Sequence, residues 1–165
     1  RDPEMSRGLG DVYKRQAQIE KLLKAKKNGM FLLFDVDKFK HINDTYGHSI
    51  GDEVLIQVAD ALKQTFEQAG VCMRLGGDEF AVYAPEITEQ MQAETMIQAF
   101  FERIRNIAIP QMEGDAISVS LGAVLCAPDR EHVFEKVYQR ADATMYTCKK
   151  VIGNSYDFYT GRNPA

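Results

Sequence analysis

Cysteine is scarce in this chain, and its few cysteines lie far apart. Cys72, Cys126 and Cys148 are the only three in 165 residues. An odd number at wide spacing, with no CxxC pair, excludes a disulfide framework and a thiolate zinc site. It reads as reduced thiols in a cytosolic protein. Histidine is as sparse: three residues, none in HxxxH or HExxH spacing, so a histidine-based metal centre is excluded. Long hydrophobic runs are missing too. No stretch approaches the roughly 18 apolar residues needed to cross a bilayer, and no leader-like segment opens the sequence. Membrane insertion by this segment is not expected. Nor is there an excess of positive charge. Twenty Lys and Arg against 24 Asp and Glu leave a net charge of −4, which argues against a nucleic-acid partner.

What is present suits one soluble domain. Hydrophobic residues make up 45% and charged residues 27%, enough for one substantial core. Residues 1–10, RDPEMSRGLG, carry no period and read as a linker end or an appended segment; residues 11–165 form a single domain. A helix is expected from Asp11 to about Lys27, with Val12, Ile19, Leu22 and Leu23 on one face and Asn28-Gly29 ending it. MFLLFDVD, 30–37, is a short apolar run of the kind found in buried central strands. A short helix over about 38–45 follows, broken at Tyr46-Gly47-His48. A long helix runs from about Gly51 to Ala69, with Val54, Leu55, Val58, Ala61, Leu62 and Phe66 sharing a side.

VCMRL and EFAVYA flank Gly76-Gly77-Asp78, a hairpin signal. A helix over 88–107, a long strand over 116–127, a helix over 132–150 and a last strand over 155–159 complete the order α-β-α-α-β-β-α-β-α-β. The hairpin imposes an antiparallel pair, so the sheet is not purely parallel and the class is α+β.

Two acidic points stand out. Asp35 and Asp37 close the first strand; Asp78 and Glu79 sit on the hairpin turn. If the strands are neighbours, the acids meet at one edge of the sheet, where they repel and raise one another's pKa. A hard divalent cation such as Mg²⁺ relieves that repulsion and commonly retains a phosphate ligand. Two such ions about 4 Å apart can clamp both ends of a phosphoryl displacement. Taken singly, Asp35 and Asp37 are equally readable as solvated acids, and Asp78 and Glu79 are more readily read as solvated turn acids; the two pairs together point to a metal–phosphate site. Lys38 and Lys40 follow the first strand at a short helix's N-terminus, an anion-binding position. Asn43 and Asp52 can satisfy a guanine edge, though taken singly they read better as a helix-end amide and a helix N-terminal acid.

FDVDKFKHINDTYGHSIGDEVL followed by RLGGDEFAV closely resembles the GGDEF domain of the diguanylate cyclase family, and SVSLGAV and RADATMYTCKK resemble its later strand and last helix. The resemblance covers about residues 9–159. It implies a palm-like fold: a mostly antiparallel central sheet of about five strands wrapped by helices, similar to nucleotide cyclase and polymerase palms. It implies condensation of two GTP into cyclic di-GMP with release of pyrophosphate, between two facing copies of the domain. The resemblance assigns Mg²⁺, or Mn²⁺, to Asp35, Asp78 and the Val36 carbonyl. It makes Asp78 the general base, Glu79 an auxiliary acid and Lys40 a transition-state stabiliser. Asn43 and Asp52 would read guanine, His48 would line the site, and the Phe39 N–H and Lys149 would reach phosphate. Gly76 and Gly77 would leave the hairpin bare for the nucleotide.

Three departures accompany the resemblance. The family's opening DxLTGLxNR is matched here by Arg7-Gly8-Leu9-Gly10-Asp11-Val12-Tyr13-Lys14-Arg15, which implies altered coupling to upstream regulators. Gly153 stands where the family has a phosphate-contacting arginine, which implies weaker GTP binding or turnover. Glu67 and Gly70 occupy the positions of the RxxD product-inhibition site, which implies no feedback through it. Two other readings follow: a GTP-binding regulatory domain with little catalysis, controlling a neighbouring module, and a cyclase making a mixed purine product, against which Asp52 speaks.

Overall fold

A computed structural model of the chain describes residues 12–25, 28–127 and 133–161. The 1–10 segment, the altered 7–11 stretch and the expected helix ends at 26–27 and 132 lie outside the described residues. The elements are α1 (Val12–Lys24), β1 (Gly29–Val36), α2 (Phe39–Tyr46), α3 (His48–Phe66), β2 (Val71–Gly76) and β3 (Glu79–Ala84). They continue with α4 (Gln90–Arg105), a 3₁₀ turn (Pro110–Met112), β4 (Val119–Cys126), α5 (Phe134–Cys148) and β5 (Ser155–Phe158). The order is the one read from the sequence.

The five strands run β2-β3-β1-β4-β5. β1 pairs antiparallel with β3 and β4, β2 pairs antiparallel with β3, and β5 alone is parallel to its neighbour. The sheet is therefore mostly antiparallel, and helices cover both faces. Side chains alternate across a strand, and β1 divides accordingly. Met30, Leu32 and Phe34 join α3 and α4 in one core cluster, while Phe31 and Leu33 join Ile19 and Leu23 of α1 and Val137, Ala141 and Met145 of α5 in the other. A strand buried on both faces reads as an unbroken apolar run, which is why MFLLF shows no alternation. Burying each such side chain fully is worth roughly 1.5–3 kcal/mol.

Two sequence expectations are corrected. β4 begins at Val119, because residues 116–118 follow the 3₁₀ turn as irregular chain; it equals β1 in length at 8 residues. α3 begins at His48 rather than Gly51, since Gly47, at φ 94°, already makes the break. The three cysteines are buried and unpaired, and burial pushes the Cys72 and Cys126 thiols up to about 12. Among the described residues no helix is long and apolar enough to cross a membrane.

Candidate functional site

The site forms where β1 ends. Register places Asp35 opposite Glu79 of β3 and opposite Ser120 of β4. The hairpin between β2 and β3 carries a register shift between Arg74 and Gly76. Gly76 and Gly77 adopt φ 145° and 52°, and a Cβ on either would meet nothing within 4 Å. The corner needs glycine for its backbone, and it opens onto empty space. Arg74 holds it from below: its Nε and Nη2 both donate to the Gly77 carbonyl, at 3.0 and 2.8 Å.

The Asp78 carboxylate accepts from its own main-chain N–H and from that of Val36, the residue after Asp35. Asp35 and Asp78 are close enough to repel. Burial is the main cause raising the Asp35 carboxyl above its ordinary range, Lys149 opposes it, and Asp78 and Asp37 add to the rise. Burial likewise raises Asp78, against the pull of the N–H groups, Lys149 and Arg74. Glu79 is raised by burial, opposed by the Tyr138 hydroxyl, which donates to Glu79 Oε1 at 2.8 Å. The acids thus meet at one rim, as the sequence reading required.

Lys149 stands just past α5 and brings a cation to that rim. Its Nζ pairs with Asp35 Oδ1 and lies 3.9 Å from Asp37 Oδ1. α5 approaches β4 closely because Gly122 has no side chain; a Cβ there would lie 2.2 Å from the Ala141 carbonyl. After Lys149 the chain is pinned to β4 by Asn154, whose Oδ1 accepts the Val119 N–H at 2.9 Å. Gly153, the position of the family's arginine, takes φ 89° with open space around it, and Ile152 beside it is fully exposed.

The remaining predicted residues lie on α2 and α3, at the same end of β1. Lys38 precedes α2 in a left-handed conformation, φ 54° and ψ 36°, and α2 has no side-chain cap at its start. Such strain is characteristic of functional turns. Phe39 is half-buried at the first turn. Asn43 is half-buried, with Gly51 of α3 directly against it: a Cβ on Gly51 would lie 1.9 Å from Asn43 Oδ1 and 3.3 Å from Phe39 Cζ. His48 and Asp52 are exposed on α3. Lys40 is not brought to the carboxylates; it is exposed and pairs with Asp44 at 2.9 Å. At the family's product-inhibition position, a Cβ on Gly70 would fall 2.0 Å from the Tyr83 carbonyl, and Glu67 is exposed.

Among the described residues no group of three or more His, Cys, Asp or Glu side chains is placed to hold a metal ion. Two of the rim's half-buried carboxylates, Asp35 and Asp78, are raised by burial, with the charge of Asp78 adding to the rise at Asp35. That set fits a hard cation that keeps water or phosphate in its remaining positions. Residues the sequence reading missed are Ser118, Ser120, Tyr138, Arg74 and Gly51. The alternating serines of SVS are a visible signal for a polar face on β4; the others depend on pairing and packing.

A carboxylate rim thus lies on a largely antiparallel sheet, beside a bare glycine hairpin and a lysine. Residues 13–155 match the family described as diguanylate cyclase, GGDEF domain, and the chain belongs to that family. It is 38% identical over 127 residues to diguanylate cyclase DosC of Escherichia coli K12, covering 72% of this chain and 26% of DosC. It is 30% identical over 145 residues to the uncharacterized protein YtrP of Bacillus subtilis, covering 86% of this chain and 24% of YtrP. The chain thus spans about a quarter of the length of these curated relatives. The solved GGDEF domain of YfiN from Pseudomonas aeruginosa superposes with a TM-score of 0.79 at 25% identity, covering 92% of this chain and 97% of that one.

Proposed function

We propose that this domain is a diguanylate cyclase, joining two GTP into cyclic di-GMP and releasing two pyrophosphates. The observation that carries the reading is the convergence of Asp35, near the end of β1, and Asp78, whose carboxylate accepts the Val36 N–H, at one rim beside Lys149. Each domain holds one GTP, and two copies face each other. The 3′-oxygen of one nucleotide attacks the α-phosphorus of the other, the α–β phosphoanhydride bond breaks, and pyrophosphate leaves. Mg²⁺, with Mn²⁺ as substitute, would be held by Asp35, Asp78 and the Val36 carbonyl, and would neutralise the triphosphate.

The chain's own groups do the rest. Asp78, its carboxyl raised by burial above the ordinary range, takes the 3′-hydroxyl proton. Gly76 and Gly77 let the nucleotide lie against the backbone. The uncapped start of α2, with the Phe39 N–H, faces phosphate. Lys40 leaves Asp44 for the transition state; such an exposed pair is worth ~0–1 kcal/mol and is easily given up. Lys149 adds a second positive charge. Asn43 and Asp52 read guanine, His48 lines the pocket, and Glu79, fixed by Tyr138, is the auxiliary acid. The close fit of Gly70 under the Tyr83 carbonyl supports a cyclase without feedback through the 67–70 position.

The test is direct. The domain is incubated with GTP and Mg²⁺ at high concentration, and cyclic di-GMP is sought by chromatography. A second reading, a GTP-binding regulatory domain with little turnover, is favoured by the Ile152-Gly153 loop that replaces an arginine. It predicts GTP binding with no product at any protein concentration.

A further inference from the structure

Asp37 shares the acidic end of β1 but is held differently from Asp35 and Asp78. Its Oδ2 accepts the Ser118 hydroxyl and its Oδ1 the Ser120 hydroxyl, each at 2.6 Å. Its main-chain N–H donates to the Ser118 carbonyl at 2.9 Å. Ser120 is fully buried. Asp35 pairs in register with Ser120, and Asp37, just past β1, lies beside Ser118, just before β4. Short bonds from two hydroxyls fix the Asp37 carboxylate in place. Among the described residues its ion pair is with Lys149, at 3.9 Å, whose ammonium is also paired with Asp35. Lys149 therefore sits between a carboxylate needed by an incoming cation and one already immobilised.

We propose that Asp37 is a positioning residue: a fixed second anchor that shares the Lys149 ammonium with Asp35, so that a divalent cation can take Asp35 while Lys149 stays at the site. This rests on the cation reading above and adds to it. With Asp37 present, the internal Lys149–Asp35 pair is a weak competitor for the cation. Without its charge, Lys149 has only Asp35, and competition strengthens. The role is exerted through Lys149, so it vanishes when the lysine is removed.

The experiment is a double-mutant cycle read by Mn²⁺ binding, with free Mn²⁺ followed by electron paramagnetic resonance and no nucleotide added. Asp37→Asn is expected to weaken Mn²⁺ binding about tenfold in the lysine-bearing chain. In a Lys149→Met background the same change is expected to matter less than about twofold. Equal losses in both backgrounds would mean that Asp37 acts on the cation by its own charge, and would overturn the proposal; no loss in either would also overturn it. Ser118→Ala keeps the Asp37 charge and serves if Asp37→Asn does not fold. It loosens the anchor and is expected to weaken Mn²⁺ binding less than Asp37→Asn does, and only while Lys149 is present; an equal loss in the Lys149→Met background would overturn the proposal. Absence of Mn²⁺ binding by the unaltered chain would instead remove the cation site itself.

Discussion

Gly51 and Asn43 touch across the α2–α3 corner so closely that a methyl group on Gly51 would lie 1.9 Å from Asn43 Oδ1. The missing side chain sets where the amide of Asn43 points. Gly51→Ala should improve helix propensity by about 1 kcal/mol and lose a similar amount to crowding. Thermal stability should therefore change little. GTP affinity should nonetheless fall about tenfold, the value of one displaced hydrogen bond. Calorimetric GTP titration beside a melting curve separates the two. Unchanged GTP affinity would detach Asn43 from the nucleotide.

The acids at the rim give a pH prediction. Asp35, Asp78 and Glu79 are all raised in the folded protein, with burial the first cause. A raised carboxyl binds protons more tightly folded than unfolded. Its contribution is intact below the ordinary carboxylate range and is lost as pH climbs through the raised values. The cation-free domain should lose stability over that window. Added Mg²⁺ should raise Tm more at about pH 8 than at about pH 5, because only ionised carboxylates hold it. Melting curves with and without Mg²⁺ at both pH values provide the check.

Tyr138 supports Glu79 through one hydroxyl at 2.8 Å. Tyr138→Phe should cost roughly 1 kcal/mol in urea denaturation and raise the Glu79 carboxyl further. The pH–rate profile of turnover should shift upward on its acid limb. A variant with unaltered stability and profile would show that the bond does not hold Glu79.

Gly153 lies in a left-handed conformation on the loop that follows Lys149. Gly153→Arg should cost about 1 kcal/mol of stability for the backbone and lower the KM for GTP several-fold through a charge-assisted phosphate contact. Steady-state kinetics beside melting curves measure both. A KM that does not fall would place the loop away from phosphate.

Much of this architecture was visible in the residues. The order of elements followed from MFLLF, the Gly-Gly corner and the helical faces, since each depends on local periodicity. The meeting of Asp35 with Asp78 needed only that β1 and β3 pair. Ser118 and Ser120 escaped notice because their partner, Asp37, lies some eighty residues away and depends on the β1–β4 register. Tyr138 and Gly51 depend on how helices seat on the sheet and on each other, which periodicity does not specify. Lys40 lies at an anion-binding helix start in the sequence, and the resemblance makes it a transition-state stabiliser; its ion pair with Asp44 is a local i,i+4 contact that an exposed helix face readily forms.

The most direct test of the whole account is the yield of cyclic di-GMP from GTP and Mg²⁺ by concentrated domain, compared with Asp78→Asn. The account predicts product from the unaltered domain and none from the variant, with both folded. Equal turnover by the two would contradict it.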